Sequence, residues 1–136
     1  MPALRQMIEA LARYEKAEHE ATLSESTLLK DWAEHRAFDF LIAEQKGTAV
    51  GMALYYPRYS TWKGRCFYLE DLYVMEHFRG NGLGKALLQA VADKAREAGA
   101  LRLDWQVLDW NQPAVDFYES IGAHIEKDWW NGKWWL

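Results

Sequence analysis

Arg79-Gly80-Asn81-Gly82-Leu83-Gly84-Lys85 carries three glycines at every second position. Without Cβ atoms in the way, backbone N–H groups along such a run turn toward one point. Leu83, Ala86, Leu87, Ala90 and Val91 then follow at helical spacing, so the run opens a helix. The positive end of that helix adds to the same point. Upstream, Cys66 to Met75 reads as a long strand. Strand, glycine turn and helix in succession make an anion site suited to a pyrophosphate, with Arg79 and Lys85 as flanking phosphate partners.

Three readings of the turn compete. A dinucleotide fold asks for Gly-x-Gly-x-x-Gly after the first strand, whereas this spacing is Gly-x-Gly-x-Gly deep in the chain. A P-loop asks for Gly-Lys-Ser/Thr, and Gly84-Lys85-Ala86 lacks the hydroxyl that would hold magnesium. A tight strand-to-helix turn without a ligand is the third.

Working outward, Leu4, Met7, Ile8 and Leu11 mark a first helix, opened by Pro2. Ser24 is placed to cap a second, carrying Leu28, Leu29 and Trp32. Two strands, Phe38 to Glu44 and Thr48 to Tyr56, join at Lys46-Gly47, and a polar loop from Pro57 to Gly64 leads to the long strand. Beyond the glycine helix, which Gly99 ends, come a strand from Leu101 to Leu108 and a loop from Asp109 to Pro113. A short helix with Ala114, Phe117 and Tyr118 follows, and Ile125 to Leu136 reads as a hairpin turning at Asn131-Gly132. The order predicts one α/β (α+β) domain over residues 1–136, with a mixed central sheet flanked by helices.

The 136 residues are 50% hydrophobic, enough for a core. Eight Trp and seven Tyr exceed what a minimal core needs, although packing accounts for most of them. A net charge of −4 argues against nucleic acid as a partner. It also suits a cationic substrate. No stretch of 18 apolar residues and no basic-then-apolar leader is present, so the expectation is a protein away from the membrane, in the cytoplasm. The single Cys66 excludes an internal disulfide, and no histidine spacing suggests a metal.

Val74-Met75 followed by His77-Phe78-Arg79-Gly80-Asn81-Gly82-Leu83-Gly84 resembles the pyrophosphate-binding signature of the GNAT superfamily of N-acetyltransferases. Asn111-Gln112-Pro113-Ala114-Val115-Asp116-Phe117-Tyr118, with Gly122-Ala123 after it, is similar to that family's second motif. Tyr59 to Arg65, Tyr68 to Met75, Leu108 to Gln112 and Tyr14-Glu15 resemble the spermidine/spermine and thialysine acetyltransferase branch. Ser60, where polyamine enzymes often place Asp, leans toward the thialysine type. The family's usual first strand has no counterpart before the first helix. Near the end, Asn131 falls where the branch has a substrate-contacting Glu.

The resemblance implies a GNAT fold and acetyl-coenzyme A as co-substrate, with no metal. It implies direct transfer to the primary amine of a small molecule, a diamine, a polyamine or a thialysine-like amino acid. Protein or peptide amines are an alternative, as is a non-catalytic acyl-coenzyme A sensor on the same fold. Gly80 to Lys85 would hold the pyrophosphate, and Leu72, Tyr73 and Val74 would offer backbone groups to the pantetheine arm. Asn111 and Ala114 would also touch the coenzyme, although Asn is equally an ordinary helix cap. Tyr118 would protonate the leaving thiolate and Glu70 would act as base. Asp71, on the opposite side of the strand by simple alternation, is either paired or a second substrate contact. Tyr14, Glu15, Trp62, Asp104 and Gln106 are further substrate candidates. Homodimers are the implied assembly.

Overall fold

Leu4, Met7, Ala10 and Ala12 line one buried stripe of helix α1, Pro2–Tyr14. In the structure, a computed structural model that describes residues 1–136, this stripe docks onto a sheet of four strands. After helix α2, Glu25–Ala33, come β1, Asp39–Gln45, β2, Thr48–Ser60, and β3, Gly64–Val74. A 3-10 turn at Glu76–Phe78 leads to helix α3, Leu83–Glu97, then to the short strand β4, Leu103–Trp105. Helix α4, Gln112–Ser120, follows.

The chain forms two compact units, Met1–Trp105 and Gln106–Leu136. In the first, the strand order is β1-β2-β3-β4, antiparallel except for the parallel β3–β4 pair, which the α3 crossover makes possible. Met52 and Leu54 of β2 pack with Leu4 and Met7 on the α1 side, joined by Phe40, Ile42, Tyr56 and Tyr73. Burying a Leu or Met side chain contributes about 1.5–3 kcal/mol, so Leu4 and Met7 dominate the docking of α1. The other face meets α3, where Gly51 lies beside Leu87 and Gly84 beside Val74. Buried Leu87, Leu88, Val91 and Ala95 form that helix's inner stripe.

Ser24 caps α2 as its residue type predicts, its Oγ accepting the Thr27 N–H at 3.1 Å. Only Leu28 of that helix is buried; Leu29 and Trp32 stay largely in solvent. Two expectations fail in this unit's strands. Pro57 to Ser60 are not loop but strand, and the connection is only residues 61–63, closed by Ser60 Oγ accepting the Trp62 and Lys63 N–H groups. Pro57 is tolerated because β1 stops pairing at Tyr55, leaving no ladder for its missing N–H to break. The strand expected over 101–108 shrinks to β4, because its pairing with β3 covers only Phe67↔Leu103 to Leu69↔Trp105.

In the second unit, Asn111 caps α4, its Oδ1 accepting the Ala114 N–H at 3.3 Å, with Pro113 in the first turn. The expected hairpin over 125–136 is absent: these residues form no strand. Asn-Gly sets only a local turn preference, and an isolated two-stranded hairpin without a buried face is marginal in water. No helix is long and apolar enough to cross a membrane.

Candidate active site

Glu70 stands out of register. Leu54 of β2 pairs with Asp71, and the next residue, Tyr55, pairs with Leu69, so Glu70 is the extra residue of a β-bulge. Up to Leu69, side chains at even numbers share the face of Tyr56 and Tyr68, whose rings lie 5.4 Å apart. Beyond the bulge the parity reverses, and Asp71 and Tyr73 take the face of Leu54 and Met52. Both carboxylates therefore point to the α1 side. This corrects the alternation argument, which put them on opposite faces.

Glu70 is exposed and its Oε2 accepts the Tyr56 hydroxyl at 2.9 Å. Burial, then that hydrogen bond, then the charge of Glu70 push the Tyr56 hydroxyl well above its usual range. Asp71 is deeper. Burial, followed by the charges of Glu70 and Glu15, pushes its carboxyl up to about 7, and no cation or donor offsets them. Glu15, at the end of α1, is itself raised by burial. Three acids thus converge where α1 ends over the bulge, and one of them changes charge near neutral pH.

The β3–β4 pairing covers only Phe67↔Leu103, Tyr68↔Asp104 and Leu69↔Trp105. From Glu70 to Val74, that edge of β3 has no strand beside it, so Leu72 and Val74, which alternate with the residues bonded to β2, present backbone groups outside the ladder. Arg79 takes up one of them, its Nε donating to the Val74 carbonyl at 2.8 Å. Its guanidinium lies 4.6 Å from the Tyr14 ring centre and 5.5 Å from that of Tyr73. Arg79 therefore clasps the end of α1, the end of β3 and the start of the glycine turn. Gly80 and Gly82 hold φ of +82° and +79°, a conformation that suits glycine, and no atom lies within 4 Å of where their Cβ atoms would be. Gly82 is also the N-cap of α3, and no side chain caps that end. The first N–H groups of the helix, Leu83 to Lys85, therefore have no side-chain cap and open space beside the turn that precedes them.

The remaining expected residues scatter. Tyr14 joins Arg79 and Tyr73 beside the acids. Trp62 sits in the β2–β3 turn, 91% exposed and past Ser60, which is itself six residues along β2 from Leu54, roughly 20 Å away. Asp104 is gripped by Arg102, with contacts of 2.6 and 3.0 Å. Gln106 donates to Asn131 Oδ1 at 2.6 Å in the second unit. There too Tyr118 is buried on α4, its ring 5.3 Å from Phe117. Tyr56 was missed in sequence; placing it opposite Tyr68 would have required the register.

Residues 4–123 match the family model described as the acetyltransferase (GNAT) family. The chain is 41% identical over 129 residues to thialysine N-epsilon-acetyltransferase of Mus musculus, spanning 88% of this chain and 76% of that one. It is 33% identical over 130 residues to spermidine/spermine N(1)-acetyltransferase-like protein 1 of Homo sapiens, spanning 90% of this chain and 19% of that one. Among solved structures, ribosomal-protein-alanine N-acetyltransferase from Brucella melitensis biovar Abortus 2308 superposes with a TM-score of 0.73 at 25% identity, over 97% of this chain and 93% of that one. The chain belongs to the GNAT family. It is an N-acetyltransferase.

Proposed function

We propose that the protein transfers the acetyl group of acetyl-coenzyme A directly to a primary amine of a small molecule, a diamine, a polyamine or a thialysine-like amino acid. The observation that carries this reading is the bulge at Glu70, which sets two acids on one face of β3 beside its unpaired edge. The names of the relatives support a small amine as acceptor.

A primary amine is protonated at neutral pH and must lose a proton before it attacks. Glu15, Glu70 and Asp71 attract the cation, and Asp71, near 7, is matched to taking its proton, through water where it does not touch the amine. Glu70, the sequence candidate for the base, becomes the outer member of this pair, oriented by Tyr56. The amine nitrogen attacks the thioester carbonyl carbon, whose developing oxyanion is met by a backbone N–H on the free edge of β3. The C–S bond then breaks, Tyr118 gives its proton to the departing thiolate, and the proton lost by the acylated nitrogen restores the tyrosine through solvent. The coenzyme is held by the N–H groups from Gly80 to Lys85, with Asn81 and Lys85 at the rim, by Leu72 to Val74 along the arm, and by the first turn of α4 at Asn111 and Ala114. Holding both reactants in line supplies much of the acceleration.

Release of free thiol from acetyl-coenzyme A on mixing with a panel of small amines tests this. Turnover with at least one amine is expected, together with its loss in Asp71→Asn. Coenzyme binding without thiol release for any amine would leave a sensor instead. We read the molecule as a cytoplasmic homodimer; Trp129, Trp130, Trp134 and Trp135, each at least 80% exposed in the single chain, support burial against a second copy. Sedimentation at monomer mass would contradict this.

A further inference from the structure

In a regular ladder each strand side chain is steadied by the one across from it. Glu70 has no opposite residue on β2, since Leu54 pairs with Asp71 and Tyr55 with Leu69. It is also exposed, so its long side chain would sweep through water if nothing held it. The restraint comes from the diagonal. Tyr56 pairs with Tyr68, and Glu70 lies two residues further along β3, a separation of roughly 7–8 Å that a tyrosine spans. The Tyr56 hydroxyl accordingly donates to Glu70 Oε2 at 2.9 Å.

The tyrosine is itself braced. Its ring lies 5.4 Å from that of Tyr68, and the Arg58 guanidinium lies 5.1 Å from the centre of the Tyr68 ring. Arg58 in turn approaches Asp104, the residue opposite Tyr68 on β4, at 3.8 Å. Burial and the neighbouring carboxylate keep the proton on the Tyr56 hydroxyl, so it remains a donor throughout the neutral range. One Glu70 oxygen is therefore committed to the protein. The other, Oε1, is left for a ligand, at a place fixed relative to the adjoining Asp71.

We propose that Tyr56 is a positioning residue for the acceptor amine: by holding Oε2 of Glu70 it keeps Oε1 set beside Asp71, so that the incoming ammonium is received by two carboxylates in a fixed relation. Tyr56 touches neither the reacting nitrogen nor the thioester; it acts through Glu70. This rests on the acetyl-transfer reading above and assigns the side chain that sets amine affinity at the same site.

The experiment is a double-mutant cycle on kcat and on both KM values, with acetyl-coenzyme A and the best amine of a panel, in the native protein, Tyr56→Phe, Glu70→Ala and the double variant. In Tyr56→Phe the amine KM rises about tenfold, the worth of one hydrogen bond to a charged group. The coenzyme KM and kcat stay within about twofold. In the Glu70→Ala background, Tyr56→Phe changes nothing further. Glu70→Asp keeps the charge but draws the carboxylate out of the hydroxyl's reach; it raises the amine KM likewise and is insensitive to Tyr56→Phe. An unchanged amine KM in Tyr56→Phe overturns the proposal. So does a tenfold rise that persists when Glu70 is absent, because the hydroxyl would then act on its own. A coenzyme KM that rises as much as the amine's, with a lowered melting temperature, reveals a packing defect and overturns it too. Absence of acetylation of every amine refutes the transfer reading itself, whereas transfer with independent effects of Tyr56 and Glu70 refutes this inference alone.

Discussion

Arg79 Nε donates a 2.8 Å hydrogen bond to the carbonyl of Val74, tying the first residue of the glycine turn to the last residue of β3. Because the same guanidinium stacks on Tyr14 and Tyr73, one side chain ties the glycine turn to the strand that leads to it. Arg79→Gln removes the charge, the stack and the bond. We expect a stability loss of about 1–2 kcal/mol in urea unfolding. Acetyl-coenzyme A affinity falls about tenfold by calorimetry, since the turn is no longer held in place. Arg79→Lys fails to restore it, lacking the planar fork. Unaltered affinity in both variants would show that the turn is self-supporting.

Asp71 gives a stability effect with a definite sign. Its folded pKa of about 7 stands above its ordinary 3.8, so the folded protein keeps a proton that the unfolded chain releases as pH rises through this interval. Stability therefore falls between about pH 4 and pH 7. Asp71→Asn has no charge to bury and melts at least about 3 °C above the native protein at pH 8. Near pH 4 the two melt alike. A native advantage at pH 8 would reverse the assignment.

As the proposed base the same group works only when ionised, so kcat/KM of the native enzyme is expected to climb with pH through about 7. In Asp71→Asn this limb disappears and the rate drops by about two orders of magnitude. Glu70→Gln lowers the rate less and keeps the limb. If the limb vanished with Glu70 instead, the base would be the outer acid.

Tyr118→Phe tests the proton donor. The hydroxyl alone is removed, so coenzyme binding by calorimetry stays as it was while kcat drops by about 10²–10³. A kcat within twofold of native would exclude the hydroxyl from thiolate protonation.

Gly82→Ala tests the cradle. The new methyl meets no neighbour, so the only penalty is the left-handed backbone at φ +79°, about 1–2 kcal/mol. Chemical denaturation reads that loss, and coenzyme affinity falls in parallel because the N–H groups of the turn relax away from convergence. Loss of stability with affinity intact would place the diphosphate elsewhere.

Much of this was legible in the chain. The glycine run fixed the turn and α3, and periodicity found α1, α2 and α4 with their caps at Ser24 and Asn111. These signals are local: a cap or a left-handed glycine speaks for its own few residues. What escaped was pairing. That Pro57 lies in β2 depends on where β1 ends, and the brevity of β4 depends on how far β3 stays beside it. Alternation misplaced Asp71 because a bulge is a relation between two strands, and β3 alone does not show which of its residues lacks an opposite. The grip of Arg102 on Asp104 was hidden for the opposite reason: two residues apart in sequence, they looked unremarkable until a carboxylate was seen to be occupied.

Position 70 is the one place in the middle of the long hairpin that the hydrogen-bonded rungs skip. A chain with that residue excised would bring Leu69 and Asp71 directly against Tyr55 and Leu54, zipping the ladder without a gap and turning no downstream side chain around. Such a deletion mutant should fold at least as readily as its parent. What it would lose is an outer anion and the local bend, so the ladder itself does not call for a glutamate at this position.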